Sequence, residues 1–200
     1  MAADTYLTIE APSQGLFKDK GSKFIALAWP VESQQQISEI LDSIKKEYYD
    51  ARHHCYAWAL GSKRQFFRQN DDGEPSGTAG KPIYGQILSA GLTNILVIVV
   101  RYFGGTKLGV RGLIDAYKGA TADAFQNAKI VTRIIYEIFQ IDFNYLSMND
   151  VMKIMKDFEL EQCGHQFDLR CKLSFRVRSS LAGEVLEALE KISGVSVGKN

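Results

Sequence analysis

Asp71, Asp72 and Glu74 place three carboxylates within four residues. Such an oxygen cluster suits a hard divalent cation, which makes these three the metal-ligand candidates. Asp-Gly and Glu-Pro are also good turn formers, so the same residues equally make a solvated turn. The spacing of an EF-hand and its twelfth-position glutamate are not present. Directly after, Ser76, Gly77, Thr78, Gly80 and Lys81 offer backbone N–H groups for an anion nest. Pro75 and Pro82 break the Walker A pattern at two positions. A second glycine-rich run carries Gly104, Gly105, Thr106, Lys107, Gly109, Arg111 and Gly112. It lacks the Gly-x-Gly-x-x-Gly spacing of dinucleotide binding. Arg101, Lys107 and Arg111 can converge with a helix N-terminus on a phosphate. The alternative is tight helix–sheet packing with the charges left in water.

Arg52, His53 and His54 precede an apolar strand. Neighbouring strand residues point to opposite faces, so at most one histidine faces the glycine-rich loops. A histidine beside Asp71 or Asp72 makes an acid–base or metal pair; a hydrogen-bonded structural histidine is the other reading. Arg52 and His54 join Thr78, Gly80, Lys81 and Arg101 as anion-binding candidates. Gly104, Gly105, Lys107 and Arg111 complete the set in the first half. Cys55 has apolar neighbours and no sign of an activated thiolate. No Gly-x-Ser-x-Gly elbow occurs, and no residue is assigned a catalytic role.

The elements that position these residues follow from periodicity. Short strands are expected at Tyr6 to Glu10, Gln14 to Lys18 and Lys23 to Val31, the last apolar on both sides. Ser33 and Gln36 form a capping box before a helix with Ile37, Ile40, Leu41, Ile44 and Tyr48 on one face. Cys55 to Leu60 pairs with Gln65 to Arg68 across Gly61-Ser62. Pro82 suits the first turn of a short helix that ends near Gly91. Asn94 to Phe103 is the central strand, and Gly109 to about Asn127 the third helix. Gly112 and Gly119 weaken that helix by about 1 kcal/mol each, which predicts close packing at both.

A boundary falls near Lys129 to Thr132, giving domains 1–131 and 132–200. After it the pattern is strand (Arg133 to Phe143), helix, hairpin (Glu161 to Phe167 and Leu169 to Arg178), helix, and a closing strand at Val195 to Gly198. Ser147 is expected to cap the first of these helices. This order is that of a ferredoxin-like split βαβ domain. Arg170, Lys172, Arg176 and Arg178 share one strand face and form a second candidate surface for nucleic acid. A basic stripe also serves simply to keep a surface soluble.

The chain has 200 residues, 46% hydrophobic and 24% charged, with net charge +1. This is the composition of a soluble globular protein, not of a strongly basic nucleic-acid binder. Charge is uneven: net +3 through Arg133 and −2 beyond it. Three cysteines without a Cys-x-x-Cys make neither a disulfide framework nor a zinc site. No membrane span and no signal sequence is read, and the expected location is the cytoplasm.

Three segments carry a resemblance. Residues 50–60 (Asp-Ala-Arg-His-His-Cys-Tyr-Ala-Trp-Ala-Leu), 71–82 and 101–120 resemble, in order and spacing, the IMPACT family in its bacterial YigZ branch. The chain departs from the family pattern at Lys107 and Arg111, where an apolar residue and a glycine are common. The resemblance implies an α+β protein of two α/β sandwich domains. The first would be similar to a fold shared by a small-subunit ribosomal protein domain and the fourth domain of elongation factor G. The second, ferredoxin-like, would be similar to the fifth domain of that factor. The resemblance also implies a non-catalytic binding role in translation or its regulation, with RNA or a ribosome-associated protein as partner and no cofactor. An enzyme acting on a phosphorylated small molecule at the two glycine-rich loops is the alternative.

Overall fold

The computed structural model describes residues 4–167 and 170–199. They divide into two compact units, residues 6–133 and residues 4–5 with 134–199.

The first unit is built on a five-stranded antiparallel sheet. Its strands are β2 (Ser13–Asp19), β3 (Ser22–Pro30), β4 (His53–Leu60), β5 (Phe66–Asn70) and β6 (Ile95–Tyr102), in the order β2-β3-β6-β4-β5. The central strand β6 is apolar on both faces, so both faces need cover. Helix α1 (Gln34–Glu47) covers one: Ile37 and Ile44 pack with Ile25, Leu27, Tyr56, Trp58 and Ile98. Helices α2 (Gly80–Ser89) and α3 (Gly109–Gln126) cover the other, where Ile83, Ile87, Leu113 and Tyr117 pack with Phe24, Cys55 and Val97. The glycines allow α3 to lie close to β2. A Cβ on Gly15 would sit 2.2 Å from Ala124 N, and one on Gly119 would sit 2.6 Å from the Phe17 ring.

Ser33 accepts the Gln36 N–H at 3.2 Å, as the capping box requires. The return bond is displaced by one residue, from Glu32 N to the Gln36 side chain. β1 (Thr5–Ile9) does not join the large sheet; it pairs with β7 (Ile130–Ile134). The strand expected over Arg133 to Phe143 is therefore two, β7 and β8 (Tyr136–Phe143), parted at Ile135.

In the second unit β8 is followed by α4 (Met148–Asp157), β9 (Glu161–Phe167), β10 (Cys171–Arg178), α5 (Ala182–Glu190) and β11 (Ser196–Lys199). The sheet order β11-β8-β10-β9 with two helices is the split βαβ arrangement. Phe139, Ile141, Phe143, Leu173, Phe175, Val151 and Val185 form a core of their own. Leu169, the expected first residue of the second hairpin strand, lies outside the described residues. Ser147 does not cap α4 with its side chain. Its hydroxyl donates to Ser193 O, while Asn144 accepts the Ser147 N–H. Among the described residues no helix is long and apolar enough to cross a membrane.

Candidate functional site

Register decides which side chains meet. In the sheet Arg101 lies directly opposite Phe24 on β3 and His53 on β4. Opposite residues of an antiparallel pair share a face. His53 and Arg101 therefore both belong to the α2/α3 side, and alternation sends His54 to the α1 side. This corrects the choice of His54. It is buried, its Nε2 lies 3.0 Å from Tyr48 O, and its main-chain N–H donates to Asp72 Oδ2 at 2.6 Å. It is a structural histidine. His53 Nδ1 lies 2.7 Å from Asp72 O. A carbonyl only accepts, so Nδ1 carries a proton.

The three carboxylates of the first loop go to three different places. Asp71 accepts main-chain N–H groups from Gly77 (2.8 Å), Ala79 (3.0 Å) and Gly80 (2.8 Å). It thus caps α2, which has no cap from its own N-cap residue, Ala79. Asp72 binds the His54 N–H. Glu74 is buried and accepts from Arg101 Nη1 at 2.5 Å and from Tyr117 Oη at 2.9 Å. Neither a shared cation site nor a solvated turn describes this loop; its acids hold the fold. The expected anion nest at Thr78 and Gly80 is already filled by Asp71. The Thr78 hydroxyl donates to Pro75 O. Lys81 faces a separate cavity of about 580 Å³, with Phe67, Tyr84 and Lys118.

Behind Glu74 the polar groups continue inward. Cys55 Sγ donates to Asp71 O at 2.9 Å and lies 3.2 Å from Tyr117 Oη. Burial pushes both the Cys55 thiol and the Tyr117 phenol far up, so both stay protonated. Cys55 is no nucleophile.

A pocket of about 470 Å³ opens where the two loops meet. Arg101 and Glu74 line it, with His53, Arg52, Lys107 and Phe103. Arg101 is only 7% exposed, whereas Arg52 and Lys107 are exposed. The Arg101 guanidinium lies 5.3 Å from the Phe24 ring centroid and 5.7 Å from that of Phe103. Its Nε is buried without a hydrogen-bond partner among the described residues. Gly109 and Val110, in the first turn of α3, also line the pocket, and among the described residues no side chain caps that turn. Three cations, one carboxylate and the N-terminus of α3 meet at this pocket.

The other candidates fall elsewhere. Arg111 is exposed on the first turn of α3 and does not line the pocket. Gly104 is a packing residue: a Cβ there would lie 1.9 Å from Gly21 C. Gly105 serves the turn, with φ +87°. In the second unit the stripe on β10 is largely paired. Arg170 meets Asp142 at 2.8 Å and Arg178 meets Asp4 at 2.7 Å. Arg176 donates to Glu161 at 2.8 Å and lies over the Tyr136 ring. Lys172 shares their face.

The family description "Impact N-terminal domain" matches residues 20–125, which include both loops and the pocket. The IMPACT family member YvyE of Bacillus subtilis is 31% identical over 153 residues, covering 76% of this chain and 70% of that protein. The IMPACT family member YigZ of Escherichia coli is 38% identical over 125 residues, 62% of this chain and 61% of that protein. A solved structure described as a hypothetical protein is 26% identical, with TM-score 0.76 over 98% of this chain and 97% of that one. The chain belongs to the IMPACT family.

Proposed function

We propose that this chain has a non-catalytic binding role in translation or its regulation. It takes hold of phosphate groups of RNA, or of a ribosome-associated partner, at the pocket between the two glycine-rich loops. The observation that carries the reading is the convergence there of Arg101, Arg52 and Lys107 with the uncapped N-terminus of α3. Cations and helix N-termini are the usual holders of phosphate oxygens. The likeness of the two units to translation-factor domains, implied by the family resemblance, belongs to the same reading, as does a cytoplasmic location.

Binding to single-stranded RNA should weaken as salt rises, because phosphate contacts release counterions. Replacing Lys107 and Arg52 together by Ala should flatten the slope of log K against log salt by up to about 1.4, roughly 0.7 per lost contact. Both side chains are exposed, so the fold should be unaffected. A parent protein whose affinity ignores salt would end the RNA reading.

One observation favours the second reading, an enzyme acting on a phosphorylated small molecule. His53 has its Nδ1 anchored on Asp72 O and lines the same pocket, so its Nε2 is a general-base candidate. Turnover of a phosphorylated metabolite that His53→Gln abolishes, with the fold retained, would replace binding by catalysis.

A further inference from the structure

Resting on the phosphate-binding reading, we infer that the pocket selects a terminal phosphate, a phosphomonoester, over an internal phosphodiester. Its cations are arranged in depth. Arg101 lies on the floor, 7% exposed, while Arg52 and Lys107 stand exposed at the rim. An internal phosphodiester carries a sugar on each side and stays near the rim. A chain end has three free oxygens and enters a concave site endwise.

Charge points the same way. Three cations face one carboxylate, Glu74. The surplus of two positive charges matches a phosphomonoester, which carries about −1.5 to −2 at pH 7. A phosphodiester carries one negative charge and leaves the site unbalanced.

The floor residue also has donors to give. An arginine has five N–H donors. Glu74 takes one from Nη1. Nε is buried with no partner, a condition that native interiors rarely leave unanswered. Phe103, which flanks the guanidinium, is half exposed, so an entering oxygen can displace its ring. The uncapped first turn of α3 adds main-chain donors at the same pocket.

The test uses the full chain and four probes: a short single-stranded RNA with a 5′-phosphate, the same RNA with a 5′-hydroxyl, ribose 5-phosphate and inorganic phosphate. Titration calorimetry should show the 5′-phosphorylated RNA binding about tenfold tighter than its 5′-hydroxyl twin, the gain of a charge-assisted contact. The gap should shrink in Arg101→Lys, which keeps a positive charge beside Glu74 but lacks the guanidinium's donors, while Lys107→Ala/Arg52→Ala should weaken both RNAs. Arg101→Gln also tests the floor, but it strands Glu74 and can unfold the unit, so Arg101→Lys decides. Equal affinity of the two RNAs would overturn the inference. If that shared affinity still fell with salt and with the rim variant, the broader RNA reading would stand. A tenfold gap left unchanged by Arg101→Lys would overturn the assignment to this pocket. If ribose 5-phosphate or inorganic phosphate bound through the rim residues and neither RNA bound, the inference would hold with a small-molecule source. The RNA reading would then fall.

Discussion

The two glycine-rich loops look alike in sequence, and each runs into a helix, yet the chain treats the two helix ends oppositely. At α2 the free N–H groups meet Asp71, a carboxylate nine residues before Gly80 in sequence. At α3 no side chain caps the first turn, which opens on a pocket with Arg101, Arg52 and Lys107 around it. A helix N-terminus attracts whatever anion is nearest. In the first loop that anion is built in. In the second no side chain among the described residues takes that place. The lesson is that a glycine-rich loop before a helix identifies an anion site only after the protein's own carboxylates have been placed.

Glu74 joins the loops, so its loss should give the largest effect. Glu74→Ala would leave Arg101 as a buried charge without its partner and Tyr117 without its acceptor. Removing one member of a buried pair typically costs about 3–5 kcal/mol. Both tryptophans, Trp29 and Trp58, lie in the five-stranded sheet. Their fluorescence in a urea titration therefore reports on this unit alone. A loss below about 1 kcal/mol would mean that the pair does not couple the loops.

Asp71→Ala should cost less, about 2–3 kcal/mol, because three main-chain bonds go but water reaches part of the site. This variant also inverts the comparison. With Asp71 gone, the α2 end resembles the α3 end, so added phosphate should stabilise the variant more than the parent. Stabilisation equal in the two proteins would show that an open helix end is not enough. The Arg101 cluster would then be what makes the second site.

The sequence shows local features well and distant partners poorly. Alternation in β3 and β6 and the stripe on α3 are visible because side-chain period depends only on near neighbours. Register does not. Whether His53 or His54 faces Arg101 depends on the pairing of β4 with β6, strands about forty residues apart, and a slip of one residue exchanges the two. Asp71 reads as a metal ligand or turn former because its partners Gly77, Ala79 and Gly80 offer only main-chain N–H groups, which residue type does not reveal. The break at Ile135 lies inside an apolar run with no glycine or proline to mark it. The ion pairs of β10 were hidden for the same reason: Asp4 is far in sequence from Arg178, and Asp142 and Glu161 belong to neighbouring strands.

Those ion pairs supply the smallest expected effect. Arg176 and Arg178 are about half exposed, but their carboxylate partners hold them in place and cancel their charge. A phosphate arriving at β10 must first displace Glu161 or Asp4, whereas Lys107 and Arg52 stand over a pocket whose single carboxylate already serves Arg101. Changing Arg176 and Arg178 to Ala should therefore alter the salt slope for single-stranded RNA by less than about 0.7, the value of one contact. Exposed ion pairs contribute about 0–1 kcal/mol each, so stability should change little. If instead this double variant flattened the slope by about 1.4 while Lys107→Ala/Arg52→Ala left it unchanged, the nucleic-acid surface would lie on the second unit. The open end of α3 would then be, like the capped end of α2, a feature of the fold alone.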